Sequence, residues 1–447
     1  MHVVVVGAGE VGSYVADRLS REGHDVAIID IDEGKLQRLE DALDVLTVRG
    51  SGTHPAILAK AGIEHAQLLV AVTANDEANL ISSMLAKSLG VRQTIVRIEA
   101  DDLRSKKATE VRAASGADLF IDPDAETAQE VLELLDFPGA DEVAYMANDE
   151  VIVIGAKLPA EAPLVGRTLG EIAKEFEPDW DFMVAAIGRG DETIIPRRDH
   201  RLEAGDHVRV VAKRDVGKLV AELLGLVRAV PKRVMLLGGG RTAEILATSL
   251  TTRGVHVVVV ERDPNRAREL AERLENCLVL EGDITDDDLL DEADVGRFEM
   301  VVALTGEDDA NILACLFAKA SGTDETVAVL HRLALLSLLS GAGVDVALSP
   351  RTATANGVLR FVRGGVAAVA TFLHGDAEII ELEVAEHSRA DGAMVSELNL
   401  PKNALIAAFV RDGNPQIGRG RSRLRARDRV VVVAMPSAVD EVHGVLG

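Results

Sequence analysis

Short apolar runs alternate with amphipathic helical patterns along the first 135 residues of the chain. The apolar runs fall at 2–6, 25–30, 44–48, 67–72, 93–98 and 118–121. Runs of this length, separated by helix-length segments, are typical of βαβ units, in which successive strands lie parallel. The pattern predicts an α/β fold with a doubly wound parallel sheet in this part of the chain.

The second half of the chain repeats the first at an offset near 231 residues. Residues 2–30 and 233–261 both give an apolar strand, a glycine turn, an amphipathic helix and a second strand that ends in one acid. The segments 71–79 (AVTANDEAN) and 303–311 (ALTGEDDAN) match in the same way. Self-similarity of this extent indicates a tandem duplication, whose halves we call copy one and copy two.

Each copy ends in a segment of different character, at 141–225 and 372–447, which carries Pro, Gly and strand-like alternation. We therefore expect two Rossmann-like doubly wound parallel-sheet domains, each followed by a small α+β domain. The expected boundaries lie near 136, 230 and 365, which gives the following domains: Rossmann-like nucleotide-binding domains at 1–136 and 231–365, and small α+β regulatory domains at 137–230 and 366–447.

Two prolines precede long helical patterns at the end of each predicted parallel sheet. Asp122-Pro123 leads into 124–136, and Ser349-Pro350 leads into 351–363. At these points we expect the chain to leave its own sheet. The two helices should then pack against a neighbouring Rossmann-like domain.

The charge balance limits the class of ligand. With 73 acidic and 48 basic residues, the net charge is −25, which argues against nucleic acid as a partner because phosphate backbones need a basic surface. The basic residues are 36 Arg and only 12 Lys. An acid-rich, lysine-poor surface favours a halophilic source with a high-salt cytoplasm.

Neither a signal peptide nor an apolar run of roughly 20 residues, the length of a membrane-spanning helix, is evident in the sequence. The two cysteines, Cys277 and Cys315, lie among apolar neighbours and are expected to be buried free thiols in a reducing compartment. We therefore expect a cytoplasmic protein that reaches the inner face of the membrane only through a partner.

The glycine turn of copy one fits the dinucleotide-binding fingerprint, because it follows a strand, opens a helix and precedes an acid at the end of the next strand. The turn consists of Gly7, Ala8, Gly9, Glu10, Val11 and Gly12. Amides at the helix start are expected to face phosphates. The acid, Asp30, should bind ribose hydroxyls and repel a 2′-phosphate, so that NAD(H) is favoured over NADP(H). ATP or ADP would satisfy the same contacts.

Further candidates lie at the ends of later strands of copy one. Thr73 and Ala74 end the fourth strand, at the edge where ligands bind in open α/β sheets. These residues could contact the nucleotide, or the segment could simply cap the next helix through Asn75 or Asp76. Arg97, at the end of the fifth strand, could reach a phosphate or form a salt bridge with nearby acids.

Copy two keeps most of this pattern but departs from it in detail. Its turn reads Gly238, Gly239, Gly240, Arg241, Thr242 and Ala243, with Ala in place of the third glycine. Glu261 stands where Asp30 stood, and Thr305 matches Thr73. Val329 replaces Arg97, with His331 and Arg332 just beyond. We expect the two sites to differ in affinity or in ligand.

These residues resemble the RCK (KTN) family, and within it the tandem regulatory subunits of Trk potassium-uptake systems. The resemblance covers nearly the whole chain and rests on GAGEVG with Asp30, on GSGTHPAILAKAG at 50–62, on AVTANDEAN at 71–79, on GDITDDDLL at 282–290 and on ALSPRTATANGVLRFVR at 347–363. It implies a homo-oligomeric ring of RCK domains under a membrane potassium channel or transporter subunit of the TrkH type. It also implies control of potassium flux by NAD(H) and by ATP or ADP.

By residue, the resemblance places nucleotide contacts on the following positions: Gly7 to Val11, Asp30, Thr73, Ala74 and Arg97 in copy one, and Gly238 to Thr242, Glu261, Leu304, Thr305, His331 and Arg332 in copy two. From the residues themselves we expect no catalytic residues and no metal ligands.

The alternative is an NAD-dependent oxidoreductase, which needs a substrate domain and a proton-transfer residue beside the nicotinamide. The eleven histidines are scattered, and His331, which lies among apolar residues, is expected to be a core histidine. The trailing segments are small for a catalytic half. Patterns that indicate a structural metal or a hydrolase triad are also missing from the sequence. We therefore expect a regulator and not an enzyme.

Arginines alternate along residues 418–430 of the otherwise acidic chain, at Arg419, Arg421, Arg423, Arg425, Arg427 and Arg429. In an extended strand they would all project from one face. Such a face could contact anionic lipid, an acidic loop of a channel or a small anion. It could equally be a solvated edge that counters neighbouring carboxylates.

Overall fold

The computed structural model describes residues 1–21, 23–104, 108–178, 180–190, 192–226, 228–339, 342–362, 369–371 and 377–447. Its contacts group the chain into two compact units. Unit one consists of Met1–Glu126 and a segment that begins at Pro350. Unit two consists of Thr127–Ser349 and a segment that begins at Val366. The domain boundaries near 136 and 230 stay predictions, and the one at 365 lies outside the described residues.

Copy one begins with a six-stranded parallel sheet in the order β3-β2-β1-β4-β5-β6. Its strands are β1 (His2–Val6), β2 (Asp25–Asp30), β3 (Leu46–Arg49), β4 (Leu68–Ala71), β5 (Gln93–Arg97) and β6 (Leu119–Ile121). The helices of this part are α1 (Glu10–Arg21), α2 (Glu33–Ala42), α3 (Pro55–Lys60), α4 (Asp76–Ser88), α5 (Asp101–Arg104), α6 (Thr109–Ser115) and α7 (Pro123–Leu135). The apolar runs of the sequence predict all six strands to within two residues.

The first small domain folds as a five-stranded antiparallel sheet in the order β10-β9-β11-β8-β7. Its elements are β7 (Glu142–Met146), β8 (Val151–Lys157), α8 (Leu169–Glu175), β9 (Phe182–Arg189), β10 (Glu192–Ile194), β11 (His207–Lys213) and α9 (Gly217–Leu223). The fully buried guanidinium of Arg209 pairs with Glu142 at 2.7 Å within this sheet.

Copy two repeats the parallel sheet in the order β14-β13-β12-β15-β16-β17. Its strands are β12 (Arg233–Leu237), β13 (His256–Glu261), β14 (Cys277–Glu281), β15 (Met300–Ala303), β16 (Glu325–Val329) and β17 (Val346–Leu348). The helices are α10 (Arg241–Thr252), α11 (Pro264–Arg273), α12 (Asp287–Glu292), α13 (Asp308–Ala320), α14 (Leu333–Leu339) and α15 (Pro350–Val362).

The second small domain is again antiparallel, in the order β18-β19-β22-β20-β21. Its elements are β18 (Val369–Thr371), β19 (Glu378–Glu383), β20 (Ala404–Arg411), β21 (Asn414–Ile417), β22 (Arg429–Ala434) and α16 (Val439–Leu446). Short 3₁₀ turns lie at Ile63–His65, Arg214–Val216, Val295–Arg297, Val395–Glu397 and Pro436–Ala438. Two Rossmann-like sheets, each followed by a small α+β domain, are the fold class that the sequence predicts.

The two small domains share a core within unit two. Buried residues of the first sheet, such as Val151 and Val211, belong to the same cluster as Ile379 and Val431 of the second. The Ala147 amide also donates to the buried carboxylate of Glu381 at 2.7 Å. The two trailing segments therefore pack together as a pair.

The long helix after each parallel sheet packs on the sheet of the other copy. In unit one, Ala355, Val358 and Leu359 of α15 are fully buried in the cluster built on β1 and α1. In unit two, buried residues of α7 from Ala128 to Leu135 join the cluster built on β12 and α10. This exchange is the packing expected at the two prolines, because each amphipathic helix must cover an apolar sheet face.

The arginine run does not form one extended strand, so its side chains do not share a single strand face. Residues 418–428 are a loop, and β22 begins only at Arg429. The arginines of the run have separate partners: Arg419 stacks on Trp180, Arg423 donates to the Gly392 carbonyl, Arg427 pairs with Glu386, and Arg429, the first residue of β22, pairs with Glu381. These contacts fit the solvated-edge interpretation.

Both cysteines are free thiols. Cys315 is fully buried, as expected, whereas Cys277 is only half-buried because it begins β14 at the edge of its sheet. Burial raises the pKa of Cys277 to about 11 and that of Cys315 to about 12. In the described part of the chain, no helix is long and apolar enough to cross a lipid bilayer.

Candidate functional site

The predicted residues of copy one meet at the carboxyl edge of its parallel sheet. The glycine turn joins β1 to α1, Asp30 ends β2, Thr73 and Ala74 follow β4, and Arg97 ends β5. The strand order reverses between β1 and β4, which makes this point of the edge the switch point of the sheet. Open α/β sheets bind their ligands at such a switch point.

The fold itself requires the first and third glycines of the turn. Gly7 has a φ of +110°, and a Cβ there would lie 3.0 Å from the Thr73 amide nitrogen. A Cβ on Gly12 would lie 1.9 Å from the Gly7 carbonyl oxygen. Backbone conformation and close packing therefore explain Gly7 and Gly12 without any ligand.

Neither packing nor conformation explains the middle glycine. A Cβ on Gly9 would meet no heavy atom within 4 Å, and Gly9 is not among the glycines with a positive φ. The equivalent glycine of copy two, Gly240, has the same open surroundings and a φ of −64°. In both copies, a side chain is missing at the position where the fingerprint brings the backbone against a pyrophosphate.

The carboxylate of Asp30 is held in place by two backbone amides. Ala8 donates to its Oδ2 atom at 2.6 Å, and Asp32 donates to its Oδ1 atom at 2.8 Å. Each carboxylate oxygen can accept a second hydrogen bond. Asp30 is thus oriented beside the glycine turn with acceptor capacity left for a ribose hydroxyl.

A buried asparagine that sequence reasoning missed fixes the turn after β4. The amide side chain of Asn79 accepts from the Thr73 nitrogen at 2.9 Å and from the Thr73 hydroxyl at 2.7 Å. It donates to the carbonyls of Thr73 at 3.0 Å and of Arg97 at 3.1 Å. Asn311 makes the same four bonds to Thr305 and Val329 in copy two. The recurrence of this asparagine in both AVTANDEAN-type segments is the signal that could have found it.

Local contacts describe the remaining candidates of copy one, whose role toward a ligand stays a prediction. Asn75 caps α4, since its side chain accepts from the Ala78 amide at 2.6 Å. Ala74 is exposed. Arg97 forms an ion pair with Glu99, so that of its two interpretations the structure contains the salt bridge.

Copy two builds the same edge with a longer acid. Gly239 donates to Glu261 Oε2 at 2.7 Å, and Asp263 donates to Glu261 Oε1 at 2.8 Å. Gly238 has a φ of +109°, like Gly7. Ala243, in place of the third glycine, is fully buried, and the neighbouring Thr242 is nearly so. Leu304 and Thr305 follow β15 as Val72 and Thr73 follow β4.

Additional ion pairs surround the edge of copy two. Arg266 donates from Nε to the Gly239 carbonyl at 2.9 Å and from Nη2 to Glu244 at 2.8 Å. Arg262, which directly follows Glu261, pairs with Glu307 at 2.7 Å, and this hydrogen bond raises the pKa of the Arg262 guanidinium. The corresponding copy-one residues, Ile31 and Asn75, cannot form an ion pair. The two edges therefore differ in their ion pairs.

The prediction that His331 is a core histidine is wrong. Its side chain is 39% exposed, and its Nδ1 atom lies 3.2 Å from Asp308 Oδ1. Asp308 also accepts from the backbone amides of His331 at 2.8 Å and of Arg332 at 2.9 Å. Burial disfavours the charged carboxylate, but these hydrogen bonds hold the pKa of Asp308 below its usual range. Asp76 binds the equivalent amides in copy one.

Among the described residues, Asp141, Glu142 and His207 form a cluster with metal-ligand chemistry. Asp141 binds His207 Nε2 at 2.8 Å, and Glu142 is occupied by Arg209. Because each carboxylate already has a cationic or hydrogen-bonding partner, the cluster has a structural explanation.

Two protein-family models each match the chain twice, once in each copy of the repeat. A model of the TrkA-N domain matches residues 3–123 and 234–350, and a model of the TrkA-C domain matches residues 153–225 and 379–447.

Similar proteins span the whole chain. The Trk system potassium uptake protein TrkA of Halomonas elongata is 34% identical over 438 residues, which cover 97% of this chain and 93% of that protein. TrkA homolog 1 of Methanosarcina mazei is 36% identical over 452 residues and covers 99% of both chains. These relatives match the chain at nearly full length, both repeats included.

Solved structures with the same fold include a GsuK channel bound to NAD, with a TM-score of 0.60 and 17% identity, covering 100% of this chain and 78% of that one. The GsuK RCK domain has a TM-score of 0.60 and 16% identity, covering 100% of this chain and 94% of that one. At these identities the likeness is one of fold.

Proposed function

This chain belongs to the TrkA family of Trk-system potassium uptake proteins, and we propose that it is a regulatory subunit that binds NAD(H) or an adenine nucleotide at the carboxyl edge of its first parallel sheet. In this proposal the bound nucleotide controls potassium flux through a membrane channel or transporter subunit of the TrkH type. The chain acts in a homo-oligomeric ring of RCK domains at the inner face of the membrane.

The observation that carries the nucleotide proposal is the open space over Gly9 and Gly240. A glycine costs conformational entropy, and neither the fold nor the turn needs one at these positions. A phosphate group at contact distance from the backbone does need one. The α1 amides and the helix dipole would hold the phosphates, and Asp30 would hold a ribose.

By residue, the proposed ligand contacts of copy one are the turn Gly7–Gly12, Asp30, Thr73 and Ala74, with Arg97 engaged by Glu99 until a phosphate competes for it. In copy two the proposed contacts are Gly238–Thr242, Glu261, Leu304, Thr305 and His331. NADP(H) is disfavoured at both edges because a 2′-phosphate would face the carboxylate of Asp30 or Glu261. The GsuK channel that shares this fold is bound to NAD, which fits the proposed ligand class.

The sharpest test fills the open space over the turn. Gly9→Val should leave the fold intact, since its Cβ meets nothing within 4 Å, yet it should weaken NADH or ATP binding at copy one at least tenfold, or about 1.4 kcal/mol. Calorimetric titration of the full chain measures affinity and stoichiometry. Gly240→Val should remove binding at copy two in the same way.

Gly444→Val is the matched control, because this glycine of α16 also has open surroundings and an ordinary φ. It should bind like the parent chain. If Gly9→Val and Gly444→Val both bind with unchanged affinity and stoichiometry, the glycine turn does not hold the ligand and the proposal fails.

A regulator should bind NADH without oxidising it. Among the described residues at the carboxyl edges of the two parallel sheets, His331 and Asp308 form a pair that resembles an acid–base dyad. Asp308, however, accepts hydrogen bonds from backbone amides of the following loop, as Asp76 does in copy one. We therefore expect constant absorbance at 340 nm with keto-acid and aldehyde acceptors, in the parent chain and in His331→Ala alike. Steady NADH loss that His331→Ala abolishes would favour the oxidoreductase alternative.

Control of a channel also requires that ligands distinguish two arrangements of the protein. A ligand that binds both arrangements equally shifts no equilibrium, however tightly it binds. The exchanged helices α7 and α15 are where we expect such a difference to act, because each follows one sheet and covers the other.

A further inference from the structure

An arginine from copy two lies on the glycine turn of copy one. Arg351 belongs to the first turn of α15, the exchanged helix that packs along α1 in unit one. Its guanidinium forms an ion pair with the carboxylate of Glu10, the first residue of α1. The side chain of Arg351 is 28% exposed and that of Glu10 is 47% exposed.

This ion pair lies at the N-terminal end of α1, where the phosphates of a bound nucleotide are proposed to sit. A carboxylate beside phosphates is unfavourable, and Glu10 therefore needs a cation in the liganded protein. Arg351 provides one, and its planar fork can bind a carboxylate and a phosphate together or exchange one for the other. Burial lowers the pKa of Arg351.

The duplication keeps this pair of charges but exchanges the signs in the sequence. At the position of Glu10, copy two carries Arg241, and at the position of Arg351, copy one carries Asp124. Opposite charges at the two positions are thus retained in both copies.

We propose that Arg351 is the residue of the first nucleotide site that recognises a terminal phosphate, and that it distinguishes ATP and ADP from NAD(H). The inference rests on the proposed nucleotide function. With Asp30 fixing the ribose, the phosphate chain of an adenine mononucleotide ends in a free phosphate at the start of α1. In NAD(H) a second nucleoside caps the pyrophosphate, so that Arg351 stays with Glu10.

The consequence is a link between ligand identity and the exchanged helix. A terminal phosphate competes with Glu10 for Arg351 and shifts the first turn of α15. NAD(H) leaves the Glu10–Arg351 pair in place. The same site can thus respond differently to two ligands, because ATP or ADP contacts Arg351 of α15 through its terminal phosphate and NAD(H) does not.

The experiment uses the full chain with Gly240→Val, which confines binding to copy one. In this background, Arg351→Ala should weaken ATP binding about tenfold, whereas NADH binding should stay within about twofold. Glu10→Gln should strengthen ATP binding several-fold, because it removes the competing carboxylate. Hydrogen exchange at the start of α15 should change with ATP and not with NADH.

Arg21→Ala is the matched control, since Arg21 lies at the far end of α1 and pairs with Asp17 on the surface. It should alter neither affinity. If Arg351→Ala unfolds, Arg351→Lys and Glu10→Gln decide the question through the ratio of ATP to NADH affinity. An unchanged ratio in every folded variant overturns the role of Arg351, whereas loss of all nucleotide binding in the Gly240→Val parent overturns the proposed function instead.

Discussion

Val358→Asp, a substitution in the second half of the sequence, should unfold the Rossmann-like domain of the first half. Val358 is fully buried in the cluster that α15 forms with Val5, Val15 and Val26. An unpaired carboxylate in that apolar environment should cost roughly 4 kcal/mol. The variant should consequently lose nucleotide binding at copy one.

Limited proteolysis with fragment mapping measures this outcome directly. In Val358→Asp, cleavage should begin within residues 1–126, while residues 233–348 stay protected. Val131→Asp in α7 should give the opposite pattern, since Val131 is buried in the cluster of the second sheet. Val111→Asp, at a half-exposed position of unit one, is the control, and in this variant both regions should stay protected from cleavage. Cleavage confined to 233–348 in Val358→Asp would contradict the exchange.

Glu325→Gln should make the protein more stable at pH 8 than the parent chain. Glu325 begins β16 and is almost completely buried. Its Oε2 atom accepts from the Gly139 amide at 3.2 Å and lies 4.0 Å from Arg228, while its Oε1 atom finds no partner among the described residues. Burial raises the pKa of Glu325 from 4.5 to about 7, with Arg228 opposing the rise and Asp345 adding to it.

The sign follows from proton linkage. The folded state holds the Glu325 proton up to about pH 7, and the unfolded state releases it near pH 4.5. Stability therefore falls as pH rises between these values and is flat above them. The loss amounts to roughly 3 kcal/mol for such a shift. Glutamine, which copy one already carries at the corresponding Gln93, remains neutral and removes this loss.

Thermal unfolding from pH 5 to pH 8 checks this prediction. The midpoint temperature of unfolding of the parent chain should fall as the pH rises from 5 to 7. The midpoint of Glu325→Gln should fall much less. Glu292→Gln, on an exposed carboxyl of α12, should follow the parent chain. Parallel curves for the parent chain and Glu325→Gln would show that another group controls the pH dependence.

The strands and the glycine turns are predictable from sequence because both obey local rules. Parallel strands that are covered on both faces are continuous apolar runs, and the first six fall where these runs predict. Gly7 and Gly12 follow from the fingerprint in its strand–turn–helix context. Because of the duplication, each motif occurs twice in the sequence, and the parallel sheets of both copies have the same strand order.

Residues whose role depends on distant contacts escape the same reasoning. Asn79 lies in a helical pattern that gives it no special role, yet it bonds across to Arg97 on another strand. The apolar residues that flank His331 in the sequence indicate a buried position, whereas His331 lies in a partly exposed loop. The arginines at 419–429 alternate with the period of a strand, but residues 418–428 form a loop with turns. Arg351 requires the helix exchange, which places it beside a residue 341 positions earlier.

The helix exchange also has a consequence for how this chain can be divided. A protein cut between copy one and copy two would leave the first fragment without α15 and the second without α7, each with an uncovered apolar sheet face. Neither fragment is then a self-sufficient folding unit. Produced together, the fragments should restore each other by donating the missing helix. The two copies thus exchange one helix each within a single polypeptide, and the covalent link supplies the two partners of the exchange in equal number.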